Sequence, residues 1–135
     1  MKKLLFLLSP LLVSCVVAVQ TPSVTYDYKD VNHIDWYDSF KQEETDYLVY
    51  YYSPTCSHCN MIKQEFISYY LLEKETLYFV NTQLNSRFGP NKELTGICDI
   101  DTFYIFGTPF LIRVKEYKVA DYYPGVGKIK EYLKQ

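Results

Sequence analysis

One local pattern in the chain has residue types and spacing that could do chemistry, the sequence Cys-Ser-His-Cys at residues 56–59. A helical pattern begins here, and a cysteine at a helix N-terminus meets unpaired backbone N–H groups and the positive end of the helix dipole. Such positions lower a cysteine pKa from about 8.5 to between about 3.5 and 7.5, which favours the reactive thiolate. We expect Cys56 to be the exposed attacking sulfur and Cys59, one turn later, to close a reversible disulfide with it. An imidazolium at His58 would add a positive charge beside the thiolate.

The same two cysteines could instead form half of a zinc site or an inert disulfide. Further metal ligands would have to come from His58, His33, Cys98 or Cys15. The sequence has no second pair of cysteines at this spacing and no pair of histidines at ligand spacing. We therefore expect no metal site and favour the redox interpretation, in which the cysteine pair needs no cofactor.

Composition limits the classes of protein to which this chain can belong. Its 135 residues allow one domain, and 48% hydrophobic with 22% charged residues is typical of globular proteins rather than disordered ones. The formal charge is -2 and the sequence contains no basic run, so the features of a nucleic-acid-binding protein are missing. We predict no nucleic-acid partner.

The first residues have the layout of a secretory signal. Lys2 and Lys3 precede an apolar stretch over residues 4–19, and no acidic residue occurs before Asp27. This stretch is shorter than the roughly 20 residues that span a bilayer as a helix. We predict a signal peptide, lipoprotein signal or anchor at residues 1–18, a linker at 19–30 and the folded domain at 31–135.

How the N-terminus is processed stays open between three alternatives. Leu-Val-Ser-Cys at residues 12–15 resembles the bacterial lipobox, in which the cysteine is acylated and becomes the mature N-terminus, so Cys15 is a lipidation candidate. Residues 16–18 also form a small-residue cleavage site, and the apolar stretch could remain as an uncleaved anchor. Each alternative places the domain outside the cytoplasm, either secreted or tethered to a membrane by the N-terminal segment or a lipid.

Apolar patterning predicts the elements that position the cysteines. A loose helical spacing predicts a first helix over residues 31–44, and a continuous apolar and aromatic run predicts a strand buried on both faces over 47–52. Apolar residues recur at helical spacing over 62–70, and residues 77–80 form a second strand. Strand, helix and strand within about 35 residues form a βαβ unit with a right-handed crossover.

The second half of the chain contains a less regular region and a clear ending. Gly89-Pro90 predicts a turn and residues 92–97 a short helix. Residues 110–114 and 119–123 predict an antiparallel hairpin, and a closing helix follows near the C-terminus. We therefore predict an α/β fold with a central mixed sheet flanked by helices, in which a βαβ unit is followed by a β-hairpin and a C-terminal helix.

Two separated motifs resemble the thioredoxin superfamily. The segment that begins at Cys59 is similar to the one that follows the second active-site cysteine of thioredoxins, and Gly107-Thr108-Pro109 is similar to the cis-proline loop of the family. With the final hairpin and helix, the resemblance covers nearly everything from Tyr47 to the end. It implies a thioredoxin-like fold, a cis peptide bond at Pro109 beside the cysteines, and a client chain that pairs with the backbone of Thr108.

The departures from thioredoxin itself point to a different direction of reaction. Thr55 and Tyr50 stand where thioredoxins carry a tryptophan and a buried aspartate that helps to deprotonate the second cysteine. A histidine immediately before the second cysteine, as at His58, is instead the arrangement of protein disulfide isomerases and bacterial periplasmic disulfide oxidases. The resemblance therefore implies a more oxidising couple.

Together, the motif and the resemblance predict an extracytoplasmic protein thiol–disulfide oxidoreductase. Cys56 would attack, a mixed disulfide would form, and Cys59 would resolve it. Its partners would be thiols and disulfides of client proteins and an electron partner that the sequence does not identify. Two alternatives stay open, a reductase dedicated to one client and a redox-inactive adaptor.

Two further residues of chemical interest lie outside the motif. We expect Cys98, which has Ile97 and Ile100 nearby, to be buried as a small apolar residue, with redox regulation or an intermolecular disulfide as alternatives. We expect His33 to be a surface histidine or a satisfied core histidine.

Overall fold

The computed structural model describes residues 24–135. The predicted signal segment at residues 1–18 and the lipidation candidate Cys15 lie outside the described residues. Within residues 24–135, no helix is long and apolar enough to cross a membrane. The strands are β1 (Asp46–Tyr52), β2 (Leu77–Asn81), β3 (Phe110–Lys115) and β4 (Lys118–Pro124), and the α-helices are α1 (Ser57–Leu71) and α2 (Gly125–Leu133).

The four strands form one mixed sheet in the order β2-β1-β3-β4. Strands β1 and β2 are parallel and connected by α1, whereas β3 is antiparallel to both β1 and β4. This arrangement confirms the predicted βαβ unit, hairpin and closing helix. The strands β3 and β4 are joined by a two-residue turn in which Glu116 and Tyr117 have φ values of 49° and 65°. Positive φ at both central residues is typical of the type I′ turns that match the twist of a hairpin.

Strand β1 is central because both of its faces are apolar, as the sequence predicts. Side chains alternate between the two faces of a strand, so neighbouring residues enter different halves of the core. Leu48, Tyr50 and Tyr52 belong to one buried cluster, which also contains the apolar residues of α1 and α2. The remaining residues, Tyr47, Val49 and Tyr51, enter the cluster on the opposite face.

The two faces of the sheet are covered by different kinds of structure. Both α-helices lie on the first face, with Phe66 of α1 and Ile129 of α2 fully buried there. The opposite face is covered by irregular segments, whose buried side chains include Trp36, Leu94 and Phe103. The predicted flanking helices are therefore confirmed on one face of the sheet only.

The predicted first helix over residues 31–44 is wrong. His33 forms an isolated parallel bridge with Phe79, and residues Trp36–Asp38 form a single 3-10 turn. The carboxylate of Asp35 accepts a hydrogen bond from the N–H of Tyr37, and the hydroxyl of Ser39 donates to the carbonyl of Trp36. These side chains form hydrogen bonds with backbone groups that would bond to each other in a longer helix.

The predicted turn at Gly89-Pro90 and the predicted helix over residues 92–97 are also wrong. Phe88 bridges Ile105, and the N–H of Gly89 donates to the carbonyl of Ile105, so this stretch is extended. A side chain at position 89 would collide with the ring of Tyr104. Gly89 is therefore required for close packing rather than for a turn.

Residues 24–31, which we call the N-terminal arm, pack against the domain. Tyr28 is only 5% exposed and Val31 is buried with it in the cluster beneath α1. The sequence places residues up to 30 in a linker because they are polar and follow a proline. That interpretation is wrong for the described end of the segment, where the tyrosines are anchored by contacts with residues far along the chain.

Candidate functional site

Cys56 stands at the junction between β1 and α1. The chain leaves β1 through a turn in which the N–H of Cys56 donates to the carbonyl of Ser53 at 3.1 Å. Cys56 has extended backbone angles and is the N-cap of α1, and its Sγ accepts a hydrogen bond from the N–H of Cys59 at 3.2 Å. The side chain of Cys56 therefore replaces the capping oxygen that serine or aspartate supplies in other helices.

The surroundings of Cys56 favour its ionised form. Burial raises the pKa of the Cys56 thiol. Hydrogen bonds with the side chain of Cys59, with Thr108 and with the N–H groups of Cys59 and His58 outweigh this effect and hold the pKa below its usual value. The sulfur remains partly accessible to solvent. Cys56 thus combines the accessibility and the thiolate character that a nucleophilic cysteine needs.

Cys59 has the opposite properties. It is fully buried, and burial, together with a hydrogen bond to Cys56, raises the pKa of the Cys59 thiol to about 11. At neutral pH Cys59 therefore remains a protonated, sheltered thiol. The two sulfurs are not bonded to each other, so the structure describes the reduced pair.

A loop from the distant second half of the chain completes the site. The peptide bond between Thr108 and Pro109 is cis, and Pro109 is buried directly before β3. The thiol of Cys56 donates to the carbonyl of Thr108 at 3.4 Å. Beside this contact lies a shallow groove of about 230 Å³ that is lined by the loop and by Phe110, Pro124 and Gly125.

Three features of this domain occur together in one fold. They are a cysteine pair at the start of the helix in a βαβ unit, a cis-proline directly before the antiparallel strand, and a hairpin followed by a helix. The chain has the fold of the thioredoxin superfamily. In this thioredoxin-like domain, the contact between Cys56 and Thr108 joins the two motifs that are 52 residues apart in sequence.

Solved thioredoxin structures are similar to this chain at low identity. Thioredoxin f2 of Chlamydomonas reinhardtii is 14% identical, with a TM-score of 0.49 over 77% of this chain and 91% of that one. A thioredoxin of Malassezia sympodialis, Mala s 13, is 13% identical, with a TM-score of 0.42 over 73% of this chain and 80% of that one. No family model and no curated protein matches the sequence.

The other predicted residues of interest have different environments in the thioredoxin-like domain. His58 is exposed on the first turn of α1. His33 is a surface histidine whose Nε2 lies 2.6 Å from the hydroxyl of Tyr52, so the sequence prediction for it is confirmed.

Cys98 is exposed, and the prediction that it is buried is wrong. The nearby residues Ile97 and Ile100 pack toward the core instead. Among residues 24–135 no three potential ligands gather into a metal site.

Sequence reasoning missed one residue that contacts the cysteine pair. The hydroxyl of Tyr28, on the N-terminal arm, donates to the carbonyl of Cys59 at 3.1 Å. Within residues 24–135, the buried hydroxyl of Tyr50 has Tyr28 as its only recorded hydrogen-bond partner, at 3.3 Å. The available signal was the pair of aromatic residues, Tyr26 and Tyr28, within an otherwise polar segment. The thioredoxin-like fold and the asymmetric cysteine pair together support thiol–disulfide redox chemistry.

Proposed function

We propose that this protein is an extracytoplasmic thiol–disulfide oxidoreductase that exchanges disulfides with client proteins. The observation that carries the proposal is the contrast between Cys56, which is accessible with a lowered pKa, and Cys59, which is buried with a pKa of about 11. A pair that only stabilised the fold would need neither an accessible sulfur nor a difference in ionisation. Disulfide exchange needs both, because one sulfur must be accessible to react with the client while the other stays protonated until it resolves the mixed disulfide.

The exchange proceeds through a mixed disulfide in either direction. When the pair oxidises a client, a client thiolate attacks Sγ of Cys56, the bond between Cys56 and Cys59 breaks, and Cys59 leaves as a thiolate that takes up a proton. A second client thiolate then attacks the client sulfur of the mixed disulfide, which gives the client its disulfide and releases Cys56 as a thiolate. A partner disulfide must accept the two electrons to restore the pair.

The cis-proline loop is suited to hold the client during this exchange. The carbonyl of Thr108 lies within hydrogen-bonding distance of the Cys56 thiol, so a chain aligned along the backbone of Thr108 would bring its own cysteine to the same sulfur. The adjoining groove is mostly apolar and contains Pro109 and Phe110. We propose that this loop binds the client backbone and that the groove receives a neighbouring side chain.

The sequence before the domain supports a location outside the cytoplasm. Lys2 and Lys3 followed by the apolar residues 4–19 have the layout of a secretory signal, and Cys15 lies in a segment that resembles the lipobox. Disulfides persist in extracytoplasmic compartments and are rare in the cytosol, so export and disulfide exchange fit together.

Equilibration with glutathione tests whether the pair is redox-active and in which direction it works. A low pKa at Cys56 stabilises the reduced form, which makes the disulfide easier to reduce and therefore a better oxidant. We expect a reduction potential between about -120 and -220 mV, above the value of about -270 mV for thioredoxin. A potential below about -270 mV would favour the dedicated reductase, and a pair that does not exchange with glutathione would favour the redox-inactive adaptor.

We propose that the imidazole of His58 contributes to this potential in addition to the backbone N–H, which leucine retains. Replacing His58 with leucine should raise the pKa of Cys56 and lower the potential, with 30 mV corresponding to about 1.4 kcal/mol. Both quantities are measured on one sample by following thiolate absorbance against pH and equilibrium with glutathione. The same substitution at His33, the only other histidine, is the matched control and should change neither. Equal effects at both positions would exclude a specific role for His58.

A further inference from the structure

We propose that Tyr28 is a positioning residue, whose hydroxyl holds the Cys59 backbone so that Cys59 closes efficiently onto Cys56. This inference rests on the proposed function and assigns a part of it to the N-terminal arm. It concerns the step in which a mixed disulfide on Cys56 is resolved.

The contact is made inside the core. Tyr28 is 5% exposed, its ring stacks on that of Tyr52 with centroids 3.8 Å apart, and its hydroxyl donates to the carbonyl of Cys59 at 3.1 Å. Because the proton of Tyr28 lies on this carbonyl, the hydroxyl of Tyr50 donates in turn to the oxygen of Tyr28 at 3.3 Å. A polar chain of two hydroxyl groups thus ends on the backbone of the resolving cysteine.

Further contacts fasten the arm along the same face of α1. The backbone N–H of Tyr26 donates to the side-chain oxygen of Gln64 at 2.9 Å, and the side-chain amide of Gln64 donates back to the carbonyl of Tyr26 at 2.6 Å. The ammonium of Lys63 lies 3.8 Å from the carboxylate of Asp27. Lys63 and Gln64 follow Cys59 by about one helical turn, so the arm is aligned with the first turns of α1.

Cys59 is consequently held at both of its peptide groups. Its N–H donates to Sγ of Cys56 at 3.2 Å, and its carbonyl receives the hydroxyl of Tyr28. A disulfide forms only within narrow limits of distance and dihedral angle, so freedom at residue 59 lowers the fraction of time in which its sulfur can attack. Tyr28 acts through this restraint and gains or loses no proton, since burial raises the pKa of its hydroxyl above the usual value.

In the step concerned, the Cys59 thiol first gives its proton to solvent. The resulting thiolate attacks Sγ of Cys56, a bond forms between the two cysteines, and the bond from Cys56 to the client sulfur breaks. The client departs as a thiolate and is reprotonated by solvent. The pair is thereby oxidised by two electrons and the client disulfide is reduced.

An aromatic disulfide reagent that releases a coloured thiolate separates attack from closure. Added to the reduced full-length chain, it should release one equivalent when Cys56 attacks and a second when Cys59 closes onto Cys56. Cys15 and Cys98 are replaced with serine in all samples, so that only the pair reacts. The second phase then reports the rate of closure directly.

We expect Y28F to slow the second phase by about threefold to tenfold, the range that corresponds to one net hydrogen bond, and to leave the first phase unchanged. Y28F also leaves the buried hydroxyl of Tyr50 without a partner, so this variant is expected to be less stable. Y28F combined with Y50F removes both polar groups and should regain thermal stability while closure stays slow. Y52F is the matched control, because the hydroxyl of Tyr52 lies against His33 instead, and it should not alter the second phase.

The outcomes separate this inference from the function on which it rests. A closure rate in Y28F equal to that of the parent chain would overturn the positioning role. Recovery of both the closure rate and the thermal stability in the double variant would overturn it as well. Equal slowing in Y52F would also overturn it. In contrast, absence of the first phase in the parent chain would mean that Cys56 is not a nucleophile, which would overturn the proposed function itself.

Discussion

Replacing Cys59 with serine should convert a transient intermediate into a stable product. Cys56 would still exchange with client disulfides. Burial raises its pKa, whereas hydrogen bonds with the side chain of Cys59, with Thr108 and with the N–H groups of Cys59 and His58 lower it. A serine at position 59 keeps a hydroxyl donor and the same backbone N–H. Without the second sulfur, no group can close onto Cys56 and release the client. Mixed disulfides with client proteins should therefore accumulate, appear as larger species on non-reducing gels and vanish when a reductant is added.

The matched variant is the serine replacement of Cys56, which should abolish these species completely. The two substitutions are chemically identical and lie three residues apart, so a difference between them reports the roles of the sulfurs rather than a loss of folding. Replacement of Cys98, which is exposed and lies outside the motif, should leave trapping intact. Equal trapping by the Cys56 and Cys59 variants would mean that the roles are misassigned, and trapping by neither would mean that the pair is inert.

Replacing Phe79 with alanine should cause a large loss of stability. Phe79 is fully buried on β2, and its ring makes edge-on contacts with Tyr50, Phe66 and Tyr70 at centroid distances of 5.4 to 5.7 Å. The cavity would lie between β1, α1 and the N-terminal arm. We expect the free energy of unfolding to fall by about 3–5 kcal/mol, as measured by denaturant titration.

The same phenylalanine-to-alanine substitution at Phe88, on the surface, is the matched control. Phe88 is 56% exposed, so its replacement with alanine should change the free energy of unfolding by no more than about 0.5 kcal/mol. Similar effects at both positions would contradict the packing described for β2. A loss of less than about 1 kcal/mol at Phe79 would show that the aromatic cluster closes over the space left by the ring.

The sequence was most informative where local patterns determine the structure. The continuous apolar run of β1 predicted a strand that is buried on both faces, and the short connection between residues 114 and 119 predicted a hairpin. The cysteine pair and the cis-proline loop are recognisable in the sequence as motifs, although only the fold brings Cys56 and Thr108 into contact. Each of these features depends on residues that are close together in the sequence, or on the order of two motifs that occurs in few folds.

The predictions failed where distant contacts determine the conformation. Residues 31–44 have a helix-like spacing because Trp36 and Phe40 both enter the core, but a single turn and a loop place them there equally well. Tyr28 was assigned to a linker because its neighbours are polar, and its partner Cys59 lies 31 residues away. The two tyrosines of the arm are unusual for a polar linker, but no local pattern identifies the residue with which Tyr28 pairs, so the contact could not be predicted from spacing alone.

Packing of the N-terminal arm also limits how far the domain could extend from a membrane. If residues 1–18 remain as an uncleaved anchor, only residues 19–25 separate that anchor from Tyr26, the first of the described residues that is bonded to α1. Fully extended, these residues span at most about 25 Å, which is less than the roughly 30 Å diameter of a small domain. The domain would then work close to the lipid surface, and its clients would be proteins whose cysteines pass within that short reach.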